Sequence, residues 1–389
     1  IYKTSLWQNY YAGINGGGKN VRYNASLGYV DDKGVALSTG YNRLNMRTNL
    51  DITASEKLHF NIGLDYSKTK SQEFSMQMNI ISRGLSTPPT QKKYNADGTP
   101  TKGNNASSPT PLFYRFNNDN SRVYKRFSGF GKLTYYILPV WKVEAQVSTF
   151  NENNRFSSFE KANVFNGRRP TSEEYGETER NKFELYSTFT QRFGQHSFSA
   201  LGGYSYQRTK GNSFDAKVTG AGTDKVPTLS AGPNKEDANS DIYKDVTIGY
   251  FGRVSYDYLK RYFLAATFRE DASSRFTAQH RWGFFPGVSA GWTISDESFM
   301  KNIKVIDNLK LRASYGQTGN NAIGIYDALG RYTTDARYDG NAGILPNVMP
   351  NSNLTWETTN QLDLGLDLNL FNDRIGLIFD YFDKRTENL

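Results

Sequence analysis

Leucine occupies every second position of residues 362–370, in the stretch LDLGLDLNL. Leu362, Leu364 and Leu366 belong to this series, and Asp363 and Asp367 stand between its members. Successive side chains of a β-strand point to opposite faces, so the stretch predicts a strand with one apolar face and one face that carries carboxylates. Such a strand requires an apolar phase on one side and water on the other.

The same alternation recurs along most of the chain, while segments with helical periodicity are nearly absent. We count about fourteen strands by the period-2 criterion, most of them about ten residues long or longer. The clearest runs are residues 23–29, 58–67, 142–148, 247–257 and 309–316. Strands in globular proteins average about five to six residues, so this length favours tilted strands that cross a membrane.

The connections between the predicted strands fall into two classes that take turns along the chain. The short ones are residues 16–20, 55–57, 138–140, 194–195, 257–261 and 371–374, with a stretched member at 296–307 where a helical turn is predicted. The long, polar ones are residues 31–40, 70–121, 151–178, 211–244, 270–283 and 319–358. Strict alternation places all the long connections at one edge of the sheet, as in outer-membrane barrels.

Composition narrows the fold class further. No run of about 18 apolar residues exists, so the sequence excludes a transmembrane helix. Tyrosine and phenylalanine, 26 and 25 residues, gather near the predicted strand ends, where barrels carry aromatic girdles. Only a closed barrel lets strands cross hydrocarbon without unpaired backbone groups. We therefore predict an all-β fold, an antiparallel transmembrane outer-membrane β-barrel with long extracellular loops.

Several kinds of chemistry have no support in the sequence. The chain has no cysteine, and its three histidines lie far apart, so we predict no catalytic, cofactor-binding or metal-binding residues. The net charge is +9, but lysine and arginine are scattered singly rather than gathered in a stripe or tail. The charge distribution therefore argues against nucleic acid as a partner.

Several stretches together resemble one family. FREDASSRF at residues 268–276 is similar to the Arg-x-Asp-Gly-Ser-Ser-Arg-Phe stretch of SusC/RagA-type TonB-dependent transporters of Bacteroidota outer membranes, with Ala272 where glycine is usual. WGFFPGVSAGW at 282–292 resembles the family's Phe-Pro-x-x-Ala-x-Trp strand entry. The hairpin at 23–51 and the segments 309–320 and 350–367 resemble others, the last through the pair Trp356 and Glu357. The motifs occur in the family's order along nearly the whole chain.

The resemblance implies that residues 1–389 are a middle part of a larger barrel of about 22 strands and contribute about 14 of them. The family's signal peptide, TonB box and plug domain have no counterpart in this segment. The implied function is import of oligosaccharides or oligopeptides, with a SusD-like surface lipoprotein as lid. TonB would act through the N-terminal part, and outer-membrane lipids and lipopolysaccharide would surround the barrel.

Three sets of residues are candidates for function. Aromatic residues on the long loops suit stacking on sugar rings or docking a partner, although they can equally pack the loops together: Phe113, Tyr114, Phe116, Tyr326, Tyr332 and Tyr338. Charged residues predicted to face the lumen can guide substrate or pair across strands: Asp65, Glu144, Arg253, Arg312, Asp363 and Asp367. The family-motif residues are Arg269, Asp271, Ser273, Ser274, Arg275, Phe276, Trp356 and Glu357.

Two other functions compete with import. The first is a SusC-like barrel kept as a structural subunit of a larger outer-membrane complex for secretion or barrel assembly, with further subunits as partners. The second is a barrel enzyme: His59 and His196 have serines nearby in sequence, and Ser273, Ser274 and His280 can be arranged as a hydrolase on paper. No Gly-x-Ser-x-Gly elbow accompanies them, so hydrogen bonds within the loop are the better interpretation of the serines.

Overall fold

One antiparallel sheet of fourteen strands dominates the computed structural model of this chain, which describes residues 3–36, 39–72, 84–103 and 110–388. The described strands are β1 (Trp7–Gly17), β2 (Val21–Asp32), β3 (Gly40–Thr53), β4 (Leu58–Gln72), β5 (Asn118–Leu138), β6 (Trp141–Glu160), β7 (Thr171–Phe193), β8 (His196–Thr219), β9 (Asn234–Tyr258), β10 (Tyr262–Ser273), β11 (Trp282–Thr293), β12 (Ile306–Asn320), β13 (Arg331–Tyr338), β14 (Asn341–Val348), β15 (Glu357–Leu370) and β16 (Ile375–Glu387).

Neighbours in the sheet are neighbours in the chain. The order runs from β1 to β12 and continues with β15 and β16, while β13 and β14 pair only with each other as a separate hairpin. Within the described residues β1 and β16 are the two edges of the sheet and do not pair, so this stretch of chain does not close a barrel by itself. The predicted all-β antiparallel fold and the number of strands are confirmed.

The leucine series lies on β15 as predicted, and its neighbours across the sheet are apolar. Leu366 stands opposite Leu311 of β12 and Phe379 of β16. Leu364 and Leu311 remain 45% and 42% exposed, and Phe379 is 68% exposed. Soluble monomers rarely expose contiguous apolar patches above about 300–600 Å², whereas this face continues from strand to strand, so its outer environment is lipid.

The two classes of connection are also confirmed. The short turns are residues 18–20, 54–57, 139–140, 194–195, 259–261 and 371–374, and the stretched member at 294–305 contains two single turns of 3-10 helix, Ile294–Asp296 and Ser298–Met300. All other connections of the main sheet leave the opposite edge, which we call the long-loop rim. Among the described residues, no helix combines the length and the apolar character needed to cross a membrane.

Two of the predicted long loops are shorter than the sequence suggested. The loop predicted at 151–178 spans only 161–170, and the loop predicted at 211–244 spans only 220–233, because β6 to β9 run 20 to 25 residues. Beyond the membrane both faces of these strands meet water, so polar residues occupy both faces and the alternation that marks a strand disappears. The strands continue as a wall above the bilayer.

The connection from β4 to β5, predicted as a loop at 70–121, carries a short helix, α1 (Pro111–Asn117). Thr110 caps it by accepting a hydrogen bond from the Phe113 backbone N–H at 3.2 Å, and proline occupies the first turn, where no N–H is needed. Residues 73–83 and 104–109 of that predicted loop lie outside the described residues.

Candidate functional site

The polar face of the sheet carries all six charged residues that the sequence assigned to a lumen. Asp65 stands opposite Arg47, and Glu144 stands opposite Thr134 and Tyr186. On its strand, each occupies one of the alternate positions that lie between the apolar residues, and its side chain therefore points to the face opposite theirs. The same parity holds for the remaining members of the set: Arg253, Arg312, Asp363 and Asp367.

Arg312 organises one end of this face. Its guanidinium binds Asp367 through two hydrogen bonds, Nε at 2.9 Å and Nη2 at 2.8 Å, and also donates to Asp380 of β16 at 3.0 Å. A Cβ at Gly365 would lie 2.6 Å from the Arg312 guanidinium carbon, so glycine at this register position makes room for the bridge. The geometry is a fork that ties three strands together.

Glu144 forms a second ionic group on the same face. It lies 2.7 Å from the Lys142 ammonium and 3.6 Å from that of Lys132, and it accepts a hydrogen bond from Thr134 at 3.3 Å. Its side chain is 6% exposed, which makes it the most enclosed carboxylate of the predicted set. Asp65 pairs with Arg47 at 3.0 Å in a more exposed position. Asp65 and Glu144 pair with cations across strands, the alternative to substrate guidance that the sequence left open, and Glu144 also pairs with Lys142 of its own strand.

Arg253 differs from the four charged residues of the set that make ion pairs, Asp65, Glu144, Arg312 and Asp367. Among the described residues it makes no ion pair, and it lines a cavity of about 480 Å³ on the polar face. Ser255, Ser289, Arg312 and Asp363 also line this cavity. The cavity therefore offers an unpaired cation beside hydrogen-bonding hydroxyl groups.

The motif residues 269–276 build a junction at the long-loop rim. Arg269 donates to Asp271 at 2.6 Å, and Ser274 both receives a hydrogen bond from the Val246 N–H at 2.8 Å and donates to Asp245 at 3.3 Å. Arg275 binds Asp245 at 3.0 Å and the backbone carbonyl oxygens of residues 321 and 323. The Ser273 side chain is fully buried. The motif fastens the loop before β11 to β9 and to the loop after β12.

An aromatic cluster of Phe276, Phe285 and Trp356, the rim cluster, lies beside this junction. The rings of Phe276 and Phe285 lie 5.4 and 5.3 Å from that of Trp356, and the indole N–H donates to the Arg281 carbonyl at 2.9 Å. Phe276 and Trp356 are 1% and 6% exposed. Glu357, next in the chain, accepts a hydrogen bond from Asn320 at 3.2 Å. These motif residues therefore hold the rim together.

The aromatic candidates on α1 face a neighbouring loop. The Phe113 ring meets Phe165 edge-on at 5.5 Å, so it packs α1 against the loop 161–170. Phe116 is 48% exposed, and the Lys161 ammonium lies 5.4 Å from its ring centroid. The Tyr114 carbonyl accepts hydrogen bonds at the end of the helix, and its side chain is half-buried. Of these three, Phe116 is the most exposed to solvent.

The other three aromatic candidates lie after β12. The Tyr326 hydroxyl accepts a hydrogen bond from the Lys244 backbone N–H at 3.1 Å, which ties its loop to β9. Tyr332 and Tyr338 lie on β13 and are 69% and 86% exposed. The hairpin of β13 and β14 was missed by the sequence reasoning, because the register shifts twice within it and breaks the alternation. Tyr332 and Tyr338 are therefore open for contact.

The loops 161–170 and 220–233 hold each other through an ion pair that the sequence did not suggest. Asp224 accepts hydrogen bonds from the Ala162 backbone N–H at 3.0 Å and from Arg169 Nε at 2.6 Å. Arg169 has a φ of 49°, in the left-handed region that non-glycine residues rarely adopt. The Ala162 N–H, and after it the Arg169 guanidinium, lower the pKa of Asp224 below its ordinary value.

This pair predicts a pH dependence of loop protection. A carboxyl group whose folded-state pKa is depressed stabilises the fold above its unfolded pKa of about 3.9, and the stabilisation is lost as pH falls through the folded value. We expect Asp224→Asn to speed proteolysis in 161–170 and 220–233 up to about fivefold at neutral pH, the range for an exposed ion pair of about 1 kcal/mol. Below the folded pKa the two proteins should be cleaved equally.

The measurement is limited proteolysis with subtilisin at neutral pH and with pepsin in acid. Asp237→Asn is the matched control, because Asp237 is an exposed carboxylate on the neighbouring strand β9. Equal acceleration by both variants, or an effect of Asp224→Asn that persists in acid, would contradict the assignment.

The histidines do not assemble the catalytic constellations considered above. His59 and His196 lie within hydrogen-bonding distance of Thr53 and the Tyr256 hydroxyl, and His280 of Thr277 and the Ser352 carbonyl. The hydroxyl groups of Ser273 and Ser274 engage Asn321 and Asp245. Within the described ranges, no group of three or more metal-ligating side chains gathers.

Sequence comparison places this architecture among known proteins. The family model described as TonB dependent receptor-like, beta-barrel matches residues 78–389. The chain is 29% identical over 408 residues to TonB-dependent receptor P3 of Formosa agariphila, across all of this chain and 41% of that receptor. It is 26% identical over 429 residues to TonB-dependent receptor SusC of Bacteroides thetaiotaomicron, across all of this chain and 42% of SusC. The chain thus spans about two fifths of the length of these relatives.

Solved structures agree on the fold. The RagAB peptide importer in its open-open state superposes with a TM-score of 0.89 at 22% identity, across 99% of this chain and 44% of that one. The unliganded ferric citrate transporter FecA gives a TM-score of 0.58 at 10% identity, across 97% of this chain and 48% of that one. At these identities the likeness concerns the fold alone.

Proposed function

This chain belongs to the TonB-dependent receptor β-barrel family of the outer membrane, and from that membership we propose that it forms part of the wall of a SusC-like nutrient importer. Members of the family are receptors and transporters rather than enzymes. The proposal assigns no chemical step on the cargo to this chain. Its contribution is a membrane-spanning wall, a polar inner surface and a rim of loops.

The observation that carries the proposal is the asymmetry of the sheet. One face is a continuous apolar surface around Leu364 and Leu311, and the other carries Arg253, Arg312 and Glu144. In a closed barrel these faces become the lipid surface and a water-filled lumen. Paired charges such as Arg312 and Asp367 keep the wall polar without leaving strong fixed charges that would trap cargo.

We propose further that the long-loop rim receives a SusD-like lipoprotein and that TonB acts through the part of the protein N-terminal to this segment. Oligosaccharides or oligopeptides are the proposed cargo, and the likeness to a protein described as a peptide importer is consistent with the second class. Exposed Tyr332, Tyr338 and Phe116 support a docking role for the rim, since aromatic side chains dominate such contacts.

Alanine at both Tyr332 and Tyr338 is expected to weaken binding of the lipoprotein partner or cargo about tenfold, equivalent to about 1.4 kcal/mol, without lowering barrel stability. Both rings are largely exposed, so their removal leaves no cavity. The measurement is titration of the full-length variant with the co-purifying lipoprotein. Tyr326→Phe is the control, because it removes one hydroxyl at the same rim and keeps the ring. Unchanged affinity of the double variant would refute this contact.

The whole function is tested on the full-length protein extracted gently from outer membranes. Mass spectrometry reads the chain and its stoichiometric partners, and uptake of labelled oligosaccharides and oligopeptides is compared between cells with and without the gene. A SusD-like partner and TonB-dependent uptake of one cargo class are expected. Stoichiometric secretion or barrel-assembly subunits, with no uptake defect on deletion, would instead identify the structural subunit described above.

A further inference from the structure

Lysines interrupt the lipid-facing surface of β4 and β5 where the apolar columns end. From the short-turn edge, the outward column of β4 reads Leu58, Phe60, Ile62, Leu64, Tyr66, Lys68 and Lys70, and that of β5 reads Tyr135, Leu133, Gly131, Gly129, Phe127 and Lys125. At about 3.3 Å per residue and a tilt of about 45°, Lys68 lies about 23 Å above Leu58, near the outer boundary of the apolar band of about 25 Å. Tyr66 and Phe127 lie just below, at the position of an aromatic girdle.

Two of these lysines face each other directly. Lys68 and Lys125 are register partners, which places their Cβ atoms about 5 Å apart, and like charges at that distance repel. Both side chains are exposed, and Lys70 follows on the same face of β4. The remaining neighbours in register are Leu44 beside Lys68 and Asn153 beside Lys125. Among the described residues, no carboxylate pairs with any of the three.

Another lysine pair on the same face has a carboxylate at the neighbouring register position. Lys210 and Lys244 are register partners on β8 and β9. Glu179 of β7 stands opposite Lys210 and lies 3.9 Å from the neighbouring Arg208. A carboxylate therefore stands directly beside that pair, whereas Leu44 and Asn153 stand beside Lys68 and Lys125.

We propose that Lys68, Lys70 and Lys125 bind the phosphate groups of lipopolysaccharide in the outer leaflet. Lysine is a compact ammonium donor that suits phosphate, and its long stem can lie along the apolar surface while the charge reaches the headgroup layer. Acyl chains of the same molecule would pack against the columns below, beside Leu64 and Phe60. A phosphate carried by a lipid fits this site because the lysines lie on the membrane face, opposite the polar face that cargo would contact. The proposal rests on membrane location and is independent of the cargo.

The test uses full-length protein in mild detergent, stripped of bound lipid. Three probes are titrated: purified lipopolysaccharide with its phosphates, the same material after enzymatic dephosphorylation, and sodium phosphate. A lysine near an anionic membrane surface strengthens binding about fivefold, so Lys68→Gln/Lys125→Gln should bind intact lipopolysaccharide about twenty-five-fold more weakly. Lys19→Gln/Lys57→Gln removes the same charge from the opposite edge of the barrel and should bind like the parent protein.

The probes separate the sources of phosphate. The parent protein should prefer intact over dephosphorylated lipopolysaccharide, and that preference should vanish in Lys68→Gln/Lys125→Gln. Sodium phosphate should not displace bound lipopolysaccharide when it is added at the concentration at which lipopolysaccharide saturates the protein. The inference is overturned if the double variant binds intact lipopolysaccharide like the parent, if removal of the phosphates changes nothing, or if sodium phosphate alone occupies the site equally well. Folding is checked by the temperature at which heating changes the gel mobility of the barrel. This temperature should not fall in the double variant, since the substitution removes a repulsive pair.

Discussion

Replacement of Trp356 by alanine is expected to release the loops at the long-loop rim while leaving the barrel wall folded. Trp356 is 6% exposed and contacts the rings of Phe276 and Phe285 in the rim cluster. Truncation of a buried tryptophan costs about 3–5 kcal/mol. The strands retain their ladder hydrogen bonds, so this cost falls on the segments that the rim cluster joins, residues 274–281 and 321–356.

The close fit around the indole raises the expected cost. Cβ atoms added at Gly283 and Gly319 would lie 2.9 Å from Trp356 and 2.0 Å from Phe285, so these glycines are positions where backbone and rings meet. Such a site cannot collapse easily around a cavity, because the backbone already defines its walls. Trp356→Phe should cost less than Trp356→Ala, because it keeps an aromatic ring in the cluster. The cost that remains includes the lost hydrogen bond to the Arg281 carbonyl.

Hydrogen exchange of the full-length protein in detergent measures this prediction. A local loss of about 3 kcal/mol or more raises the exchange of protected amides in 321–356 at least about a hundredfold. Tyr338→Ala is the matched control, because it removes an aromatic residue of the same connection that is 86% exposed. Uniform acceleration across β5 to β8 would show that the cluster supports the whole barrel, and unchanged exchange in 321–356 would remove its anchoring role.

The physics of a membrane sheet explains why so much of the fold can be predicted from the sequence. Lipid on one face and water on the other impose a strict alternation of apolar and polar residues. Strands β4, β12 and β15 can therefore be predicted from the sequence without knowledge of any contact. Turn lengths then fix the topology, because each hairpin neighbour is also the next strand in the chain. The prediction weakened above the bilayer, where β6 to β9 meet water on both faces and the contrast between the faces disappears.

The candidate site was only partly predictable, for a related reason. Parity places Arg312 and Glu144 on the polar face, but their partners depend on register between strands that are far apart in sequence. Asp380 and Lys132, which complete the two ionic groups, were therefore not singled out. The pair of Asp224 and Arg169 belongs to loops without periodicity, so local sequence carries no signal for it.

The motif residues show a second limit. Ser273, Arg275 and Trp356 were singled out because they belong to sequence motifs. A motif alone does not tell whether its residues have a catalytic or a structural role. Arg275 and Trp356 donate to backbone carbonyls and to Asp245, and Ser273 accepts a hydrogen bond from Asn321, all inside the junction at the rim. Burial of Ser273 and Trp356 leaves little of either accessible to a substrate. The structure therefore favours an anchoring role for these residues.

The largest effect on the barrel wall is expected from Leu366→Arg. Leu366 is the central member of the leucine series on β15, between Leu311 and Phe379 on the lipid face. An arginine at the bilayer midplane of a barrel costs about 2–4 kcal/mol, because its charge must leave water or drag water and headgroups into the hydrocarbon. The free energy of unfolding of the full-length protein should fall by that amount in lipid vesicles, measured by urea titration with tryptophan fluorescence.

Ser314→Arg is the control for this prediction. It introduces the same side chain on the neighbouring strand β12, but on the polar face of the sheet. Ser314 donates to Asp363 at 3.3 Å, so an arginine there meets water and a carboxylate instead of lipid. Ser314 is half-buried, but the added charge keeps contact with water and a carboxylate, so its cost should stay within about 1 kcal/mol. Because a shift of one residue in register inverts the two faces, the order of the two variants decides the facing of β12 and β15. Greater destabilisation by Ser314→Arg than by Leu366→Arg would reverse the assignment of lipid and lumen, and with it the placement of Arg312 and Asp367 along a cargo path.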